Sequence, residues 1–375
     1  MAGPGPSRAV AGLPCARHQP CDRSGQDLSI ERLSIKDFRN LGAVDLSPSP
    51  GFNCLYGDNG AGKTSVLEAI HVLARGRSFR AGQIAPLIRH GSEALRVVVR
   101  GVAGDSLGVE RSREHWRGRI NGQSCQRLSE FASRLPLVLI EPDSHRLVDG
   151  GPERRRQYLD WLLFHVEQTY LSDWQRYARL LRQRNAALKS GAGDAVLSAL
   201  EKPMAEAALR IDSLRRQQVQ RVAEAMASLV TELSLRLSGE IQLSYRPGSP
   251  KELGLLEAWA QQRGSDRERG FTQRGPHRAD LRLSAGGHPA AQALSRGQQK
   301  LLATVLLLAQ LQILASKERV LLLLDDPVSE LDRGHLARLL AWLPVQGFQS
   351  WVTATESLPG ASALFHVEQG AVVRR

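Results

Sequence analysis

The sequence predicts an α/β protein with a mixed or parallel sheet core and an inserted helical lobe. An apolar strand at residues 51–57 runs directly into a glycine-rich turn and then a helix, as in doubly wound folds. A second strand, residues 320–324, is apolar at every position, which is typical of strands buried on both sheet faces. Between the two strands, helical spacing persists from residue 152 to about residue 238. We therefore expect the helical segment to interrupt a single α/β core.

The composition is that of a soluble globular chain with a strong positive charge. Its 375 residues include 50 Lys and Arg against 38 Asp and Glu, which gives a formal net charge of +12. This charge suits a polyanionic partner such as nucleic acid, although the arginine bias of a GC-rich genome would also produce it. No apolar run reaches the roughly 18–20 residues that a membrane span needs, so we expect no membrane association.

The N-terminal segment and the cysteines indicate the setting of the fold. The first 27 residues are rich in Gly, Pro and Ala, lack periodicity and contain no continuous apolar stretch of the kind found in signal peptides. We expect residues 1–27 to be a disordered extension. The four cysteines form no Cys-x-x-Cys pair, which argues against a zinc site and a disulfide framework and makes the cytoplasm the default location.

The elements divide the rest of the chain into three parts. Residues 28–150 contain strands near 28–40, 51–57, 94–102, 107–112 and 134–142, with a helix at 63–74. Residues 151–240 form the helical lobe, whose first helix opens with Gly151, Pro152 and Glu153, all favourable at a helix start. Residues 241–375 return to the α/β pattern, with strands near 241–248 and 279–285, a helix at 295–316, and then the order strand, helix, strand.

The glycine-rich turn, GDNGAGKTS, matches the phosphate-binding pattern G-x-x-x-x-G-K-[ST] in its required place between a strand and a helix. Its glycines let backbone N–H groups turn toward an anion, and the helix adds the positive end of its dipole. We expect Lys63 to reach the β- and γ-phosphates of ATP and the Thr64 hydroxyl to hold Mg²⁺. The candidate nucleotide-binding residues in this turn are Gly57, Asp58, Asn59, Gly60, Ala61, Gly62, Lys63, Thr64 and Ser65.

Two carboxylates follow the apolar strand at residues 320–324. Asp325 lies where the strand ends, at the sheet edge where open α/β folds bind ligands, and is the expected second partner of Mg²⁺. Asp326 comes next, so its side chain points elsewhere and is placed to polarise an attacking water. Asp326 and Lys63 are therefore the candidate catalytic residues, and Thr64 and Asp325 the candidate metal ligands.

The segment LSRGQ supplies Ser295, Arg296, Gly297 and Gln298 at the start of a long helix. Ser295 can cap that helix, but a cap does not explain a glycine just inside it, which costs up to about 1 kcal/mol relative to alanine. LSRGQ resembles the signature motif of ABC-type ATPases, which faces the γ-phosphate of ATP bound to a second subunit. The resemblance implies that residues 295–298 bind a partner's nucleotide in an ATP-dependent homodimer, and SELD at 329–332 is similar to the D-loop beside such an interface.

Transporter subunits carry the same motifs, usually with Glu after the first Asp and a His after the next strand. Here those places hold Asp326 and no His, with Thr355 the nearest polar candidate, and this suggests slow hydrolysis. Chromosome-maintenance ATPases insert hundreds of coiled-coil residues, and the gap of about 230 residues between the two motifs is too short for that. The ATPase subunit of a membrane transporter stays open as an alternative, as does a scaffold that binds ATP without turnover.

What remains closely resembles the RecF family of bacterial recombination-mediator ATPases, from about residue 28 to the C-terminus. The resemblance rests on IKDFRNL, GDNGAGKTSVLEAI, RGRSFRAG, GPERRRQYLDWLLFHVE, LLRQRNAAL, GPHRADL, LSRGQQK, LLLLDDPVSELD and FHVEQG. It implies an ABC-type P-loop ATPase head, with residues 28–150 and 241–375 as the ATPase lobe and residues 151–240 as the helical lobe.

The same resemblance implies an activity and partners. The chain would dimerise with ATP on duplex or gapped DNA, hydrolyse ATP weakly under DNA stimulation, and act with RecR and RecO to load RecA at single-stranded gaps during repair and replication restart. Clustered arginines neutralise phosphates, so the candidate DNA contacts are Arg75, Arg77, Arg80, Arg154, Arg155 and Arg156, with Arg176, Arg179, Arg182 and Arg184 further along the helical lobe. His277 and Arg278 are expected either to approach the nucleotide or to brace a strand.

Overall fold

The structure, a computed structural model, describes residues 29–101, 105–250, 253–317 and 319–375. The predicted N-terminal extension, residues 1–27, lies outside these residues. The described strands are β1 (Ile30–Phe38), β2 (Leu41–Leu46), β3 (Phe52–Tyr56), β4 (Ala94–Gly101), β5 (Ser106–Ser112), β6 (Trp116–Ile120), β7 (Gln123–Cys125), β8 (Leu137–Ile140), β9 (Ile241–Arg246), β10 (Asp280–Ala285), β11 (His288–Pro289), β12 (Leu321–Leu324), β13 (Ser350–Ala354), β14 (Ala363–Glu368) and β15 (Ala371–Arg374).

The helices occupy the predicted helical lobe and flank the sheets. They are α1 (Lys63–Arg75), α2 (Leu128–Arg134), α3 (Arg146–Asp149), α4 (Pro152–Val166), α5 (Tyr170–Lys189), α6 (Asp194–Glu232), α7 (Leu255–Arg269), α8 (Ala290–Ala293), α9 (Arg296–Ala315), α10 (Pro327–Glu330) and α11 (Arg333–Trp342). Short 3₁₀ helices lie at Ala85–Leu87, Pro142–His145, Pro276–Arg278 and Leu343–Val345.

The strands form an antiparallel sheet, a largely parallel sheet and a small sheet. The antiparallel sheet has the order β2-β1-β4-β5-β6-β7, and the small one has the order β11-β10-β9. In the third sheet the order is β15-β14-β3-β13-β12-β8, and every neighbouring pair is parallel except β14 with β15. The predicted α/β class with a mixed sheet is therefore confirmed.

Strand β12 shows that the parallel sheet is buried on both faces, as its uninterrupted leucines predict. Leu321 and Leu323 face the core shared with α1 and the antiparallel sheet, while Leu322 and Leu324 face the core shared with α4, α6 and α9. All four are at most 1% exposed. Because β3, β12 and β13 run in parallel, their carboxyl ends meet at one edge of the sheet, and the loops that follow them converge there.

Helix α7 is not apparent in the sequence, because LLEAWAQQRGSDRER has a glycine in its middle and few apolar positions. It packs against α5 and α6, so helices of the lobe continue past residue 240, where we predicted the lobe to end. Arg184 is fully buried at this junction and bonds Glu201 of α6 at 3.0 Å and Asp266 of α7 at 2.7 Å. Arg184 is therefore a core residue, and its candidacy for DNA binding was wrong.

Helix α9 lies at the centre of the hydrophobic core that the parallel sheet shares with α4 and α6. Among the described residues it is the one helix long and apolar enough to cross a membrane by those two criteria, and 67% of its most apolar window is buried inside the protein. It packs against α6 and β8. Its apolar character is thus explained by its place between the helical lobe and the parallel sheet.

Candidate nucleotide-binding site

The glycine-rich turn between β3 and α1 has the backbone that its sequence requires. Gly57 has φ +145° and Gly62 has φ +121°, values that L side chains rarely adopt. A Cβ at Gly57 would lie 2.1 Å from the carbonyl oxygen of Val367, and one at Gly62 would lie 2.9 Å from Leu41. Gly57 is therefore required by close packing against the backbone as well as by conformation, and Gly62 is required mainly by its conformation.

The start of α1 is open to an anion. Gly62 is its N-cap, and no side chain of the described residues caps the first turn by a hydrogen bond. The first turn itself contains no acidic residue. The free N–H groups and the helix dipole thus present positive potential to the turn. The Lys63 ammonium donates hydrogen bonds to the carbonyl oxygens of Gly57 at 2.6 Å and Asp58 at 2.9 Å, so it lies inside the turn.

A hydrogen-bond network joins this turn to the carboxylates after β12. The hydroxyls of Thr64 and Thr353 both donate to Asp325 Oδ1, each at 2.8 Å. The backbone N–H of Asp326 donates to the Thr353 hydroxyl, also at 2.8 Å. Asp326 has φ 49° and ψ 55°, a left-handed conformation that costs a non-glycine residue about 1–2 kcal/mol. Strain at this position, held by a hydrogen bond, is typical of functional sites.

The site holds buried charge of both signs. Burial raises the pKa of Asp325, against the hydrogen bonds from the two threonines, and burial lowers the pKa of Lys63, against the nearby carboxylates. Glu141 starts the loop after β8, next to the end of β12, and burial together with the charge of Asp143 raises its pKa to about 7. A carboxylate whose ionised form is disfavoured by burial gains from a cation, so the donors here suit Mg²⁺.

A cavity of about 180 Å³ opens above these groups. Its lining includes most of the predicted turn and Asp326. Arg80, which we predicted to contact DNA, also lines this cavity and lowers the pKa of Asp325 through its charge. Arg80 is thus better placed for a nucleotide phosphate. The full lining is Asn59, Gly60, Gly62, Lys63, Thr64, Ser65, Arg80, Asp326, Thr353 and Thr355.

Two turns brace the glycine-rich loop from outside. The Asn40 amide donates to the carbonyl oxygens of Gly60 at 3.2 Å and Ala61 at 3.0 Å, and its oxygen accepts from the Ser65 hydroxyl. The N–H of Gly370, in the β14–β15 turn, donates to the same Ala61 carbonyl at 2.8 Å. Sequence reasoning missed both Asn40 and Thr353 as site residues. Asn40 lies in the IKDFRNL segment, to which we assigned no role, Thr353 belongs to no motif, and each acts across the fold.

The signature-like residues lie at the start of α9, apart from the cavity. Ser295 is the N-cap and accepts a long 3.4 Å hydrogen bond from the Gln298 N–H, as predicted for a cap. A Cβ on Gly297 would have no described atom within 4 Å, so packing against the described residues does not require a glycine there. The described residues that line the cavity do not include any of residues 295–298.

The side chains of Arg296 and Gln298 already have partners within the protomer. Arg296 lies 3.5 Å from Asp149. The Gln298 amide donates to the Arg236 carbonyl at 3.1 Å and accepts from the Ser238 N–H at 2.9 Å. The Gln298 side chain therefore fastens the end of the helical lobe. Its backbone N–H, which makes a long 3.4 Å bond to Ser295, is the part of Gln298 that remains a candidate for nucleotide contact.

The other predicted DNA contacts divide into exposed and internal arginines. Arg77 and Arg154 are exposed. Arg155 bonds both oxygens of Asp280 at 2.8 and 3.1 Å, and Arg156 donates to the Ala279 carbonyl at 2.8 Å. These two side chains tie α4 to β10, so we withdraw them as DNA contacts.

His277 serves as a brace, which was one of its two predicted roles. Its Nε2 donates to the Thr272 carbonyl at 3.0 Å, so its Nδ1 accepts from the Tyr177 hydroxyl at 2.6 Å. Burial lowers the pKa of His277 to about 4, which keeps it neutral at physiological pH. The described lining of the nucleotide cavity does not include it.

A family model and curated relatives match nearly the whole chain. The family model described as RecF/RecN/SMC N terminal domain matches residues 29–368. The chain is 42% identical over 362 residues to the DNA replication and repair protein RecF of Stenotrophomonas maltophilia, a match that covers 92% of this chain and 99% of that protein. It is 43% identical over 368 residues to the protein of the same name from Pseudomonas fluorescens, covering 92% and 98%.

Solved structures give the same result. The recombination mediator protein RecF bound to ATP, described in the RecFOR pathway, superposes with a TM-score of 0.84 at 28% identity, covering 94% of this chain and all of that one. The Smc head domain of Pyrococcus furiosus superposes with a TM-score of 0.59 at 16% identity, covering 92% and 96%, and this likeness concerns the fold alone. A P-loop joined to a paired-aspartate strand, on a fold shared with ATP-bound RecF, leads to one conclusion: this chain belongs to the RecF family of ABC-type ATPases.

Proposed function

We propose that this protein is an ATP-dependent DNA-binding protein of DNA replication and repair, in which ATP joins two copies of the chain. The observation that carries the proposal is the division of the site. Most of residues 59–65 and Asp326 line the cavity, while residues 295–297 are exposed at the start of α9, elsewhere on the protomer. A second copy is the simplest source of the missing half, because an isologous dimer supplies each site with the other's corner.

The residues present fit ATP and Mg²⁺. The uncapped start of α1 suits the phosphates, and the Thr64 hydroxyl and the Asp325 carboxylate suit the metal. Among the described residues no group of three or more His, Cys, Asp or Glu could hold a metal, as expected if phosphate oxygens and waters complete the set. When bound, Mg²⁺ neutralises charge on the transferring phosphate and orients it.

The protein's own groups divide the work of hydrolysis. Lys63 turns from the loop carbonyls to the phosphates, and Arg80 adds a second positive charge from the cavity wall. Asp326 orients and polarises the attacking water. It is shorter than the usual glutamate, and Thr355 lines the cavity where transporters use histidine, so we expect slow turnover. Its stimulation by DNA rests on the family resemblance alone. With slow turnover, the rate of ATP hydrolysis would set how long the dimer stays bound to DNA.

The DNA surface and the partners rest on charge and on relatives. The net charge of +12 and the exposed Arg77 and Arg154 support non-specific phosphate contacts, which weaken steeply with salt. The likeness to RecF of the RecFOR pathway supports RecR and RecO as partners, RecA loading at single-stranded gaps as the outcome, and a cytoplasmic location. We do not retain the transporter alternative, because the relatives that span nearly the whole chain are RecF proteins.

A mixing experiment tests whether the site is shared between two chains. Lys63→Ala disables the phosphate-binding turn and Ser295→Arg blocks the signature-like residues, so neither homodimer has a working site. In a mixed dimer, the Ser295→Arg chain still has Lys63 and the Lys63→Ala chain still has Ser295. These two residues lie in the same site, so one of the two sites is complete. We expect equimolar mixing to restore part of the ATPase activity measured with gapped DNA.

The matched control is the Lys63→Ala/Ser295→Arg double variant, which forms no complete site with either single variant and should give no rescue. ATP binding by the Ser295→Arg monomer should stay close to that of the parent chain. Absence of rescue together with full activity of Ser295→Arg alone would mean that each chain hydrolyses ATP by itself, and the proposal would be wrong.

A further inference from the structure

The hydroxyl of Thr353 contacts both aspartates of the candidate site. It donates to Asp325 Oδ1 at 2.8 Å and accepts the backbone N–H of Asp326 at 2.8 Å. A threonine hydroxyl has one hydrogen to donate, and here that hydrogen is directed at the carboxylate. One side chain thus fixes the side chain of one aspartate and the backbone of the next.

Among the described residues, both hydrogen-bond partners of this hydroxyl belong to the aspartate pair, although Thr353 also lines the cavity. Thr353 is 1% exposed, on the central strand β13 between β3 and β12, and its strand neighbours Val352 and Ala354 are apolar and buried. A buried hydroxyl on an apolar strand is unfavourable unless it forms hydrogen bonds. Both of its bonds go to the aspartates that follow β12.

The second bond matters for the direction of the Asp326 carboxylate. Asp326 is left-handed, and this conformation sends its side chain toward the cavity that it lines. Without the acceptor on Thr353, the partly buried Asp326 N–H would lose its partner, and the backbone would be free to relax to an ordinary conformation. Asp325 would at the same time lose one of the two hydroxyls that orient it, and only Thr64 would remain.

We infer that Thr353 is a positioning residue for ATP hydrolysis: it holds Asp325 toward the metal position and Asp326 toward the attacking water. The inference rests on the proposed function and names a residue that acts through others, since its hydroxyl is occupied by the aspartates. Partners of this kind, one step removed from a metal, usually change metal affinity or activity by roughly tenfold to a hundredfold when removed.

Thr353→Val tests the hydroxyl at nearly constant volume. We expect kcat and kcat/KM for ATP to fall together by roughly tenfold to a hundredfold, because the aspartates act in the transition state. A second readout is equilibrium ATP binding at stepped Mg²⁺ concentrations. The variant should need more Mg²⁺ for half-maximal binding, while its affinity for ATP without Mg²⁺ stays that of the parent chain.

Two further variants separate positioning from packing. Thr353→Ser keeps the hydroxyl and should recover most of the lost kcat and the parent Mg²⁺ requirement. Thr304→Val makes the same chemical change at a buried hydroxyl that, within the described part of the chain, bonds the Lys300 carbonyl of its own helix, and it should leave both quantities unchanged. If Thr353→Val does not fold, Thr353→Cys, which keeps the volume but bonds poorly, takes its place.

The inference is overturned if the hydroxyl-free variant matches the parent chain in kcat and Mg²⁺ requirement, or if Thr353→Ser is as defective as Thr353→Val. Either result leaves the proposed function intact as long as the parent chain hydrolyses ATP. A parent chain that neither binds nor hydrolyses ATP would instead overturn the proposed function itself.

Discussion

Replacing Gly297 by alanine should make the single chain more stable and the ATP-dependent dimer weaker. The glycine lies in the first turn of α9, in a conformation open to any residue, and a Cβ there meets no described atom within 4 Å. Alanine at a compatible helix position is favoured by about 0.5–1 kcal/mol. We therefore expect a small rise in the thermal unfolding midpoint of the monomer.

The dimer should respond in the opposite direction, because the added methyl group stands where a partner's phosphate would approach the backbone. Loss of one hydrogen bond to a charged group costs about 1.5–3 kcal/mol, or roughly tenfold to a hundredfold in affinity per site. Two-fold symmetry repeats this loss in the second site. Sedimentation velocity with ATP, Mg²⁺ and gapped DNA measures the dimer fraction, and thermal melting without nucleotide measures the monomer.

Gly264→Ala is the matched control. Gly264 lies inside α7, and a Cβ there also meets nothing within 4 Å, so the variant should gain similar stability without any change in dimerisation. A Gly297→Ala protein that dimerises as readily as the parent chain would refute the view that this glycine exists for a partner's nucleotide.

Three more predictions concern the catalytic aspartate, a buried histidine and the helical lobe. Asp326→Asn should bind ATP and dimerise but hydrolyse slowly, so its complex with gapped DNA should outlive that of the parent chain in a dissociation assay; normal turnover would remove Asp326 from catalysis. In the folded protein the pKa of His277 is about 4, whereas in the unfolded chain it is about 6.5. Between these two pH values the unfolded state binds the extra proton, so each unit by which the pH falls lowers the free energy of unfolding by about 1.4 kcal/mol. His277→Gln should flatten this slope in urea titrations at pH 7 and pH 4.5, and an equal slope in both proteins would contradict the assignment. Arg155→Ala should lower the free energy of unfolding by about 3 kcal/mol through its broken ion pair, whereas Arg154→Ala should change it by less than about 0.5 kcal/mol and weaken DNA binding; equal effects on stability would argue against the internal role.

The parts of the site that were predictable are those encoded within one short segment. The 57–65 turn is recognisable from the sequence because its glycines, then Lys63 and then a helix start follow one another between two apolar segments. The same holds for Asp325 after β12, since four leucines fix the direction of the strand. In both places local sequence and tertiary position agree.

The missed parts depend on contacts between distant segments. Thr353 reaches Asp325 across 28 positions, and no pattern within SWVTA marks it. Arg155 appeared to belong to an exposed basic cluster, but its partner Asp280 lies 125 positions away. A single sequence gives the chemical type of an arginine but not its partner, so exposed and internal arginines could not be separated without the fold.

In the proposed complex two copies of this chain close on shared ATP, and the mass of the particle in solution reports directly whether they do. Light scattering coupled to size-exclusion chromatography should find a monomer without nucleotide and a dimer with ATP, Mg²⁺ and gapped DNA, while Ser295→Arg stays monomeric throughout. A protein that binds ATP and DNA as a single chain under all these conditions would contradict the account.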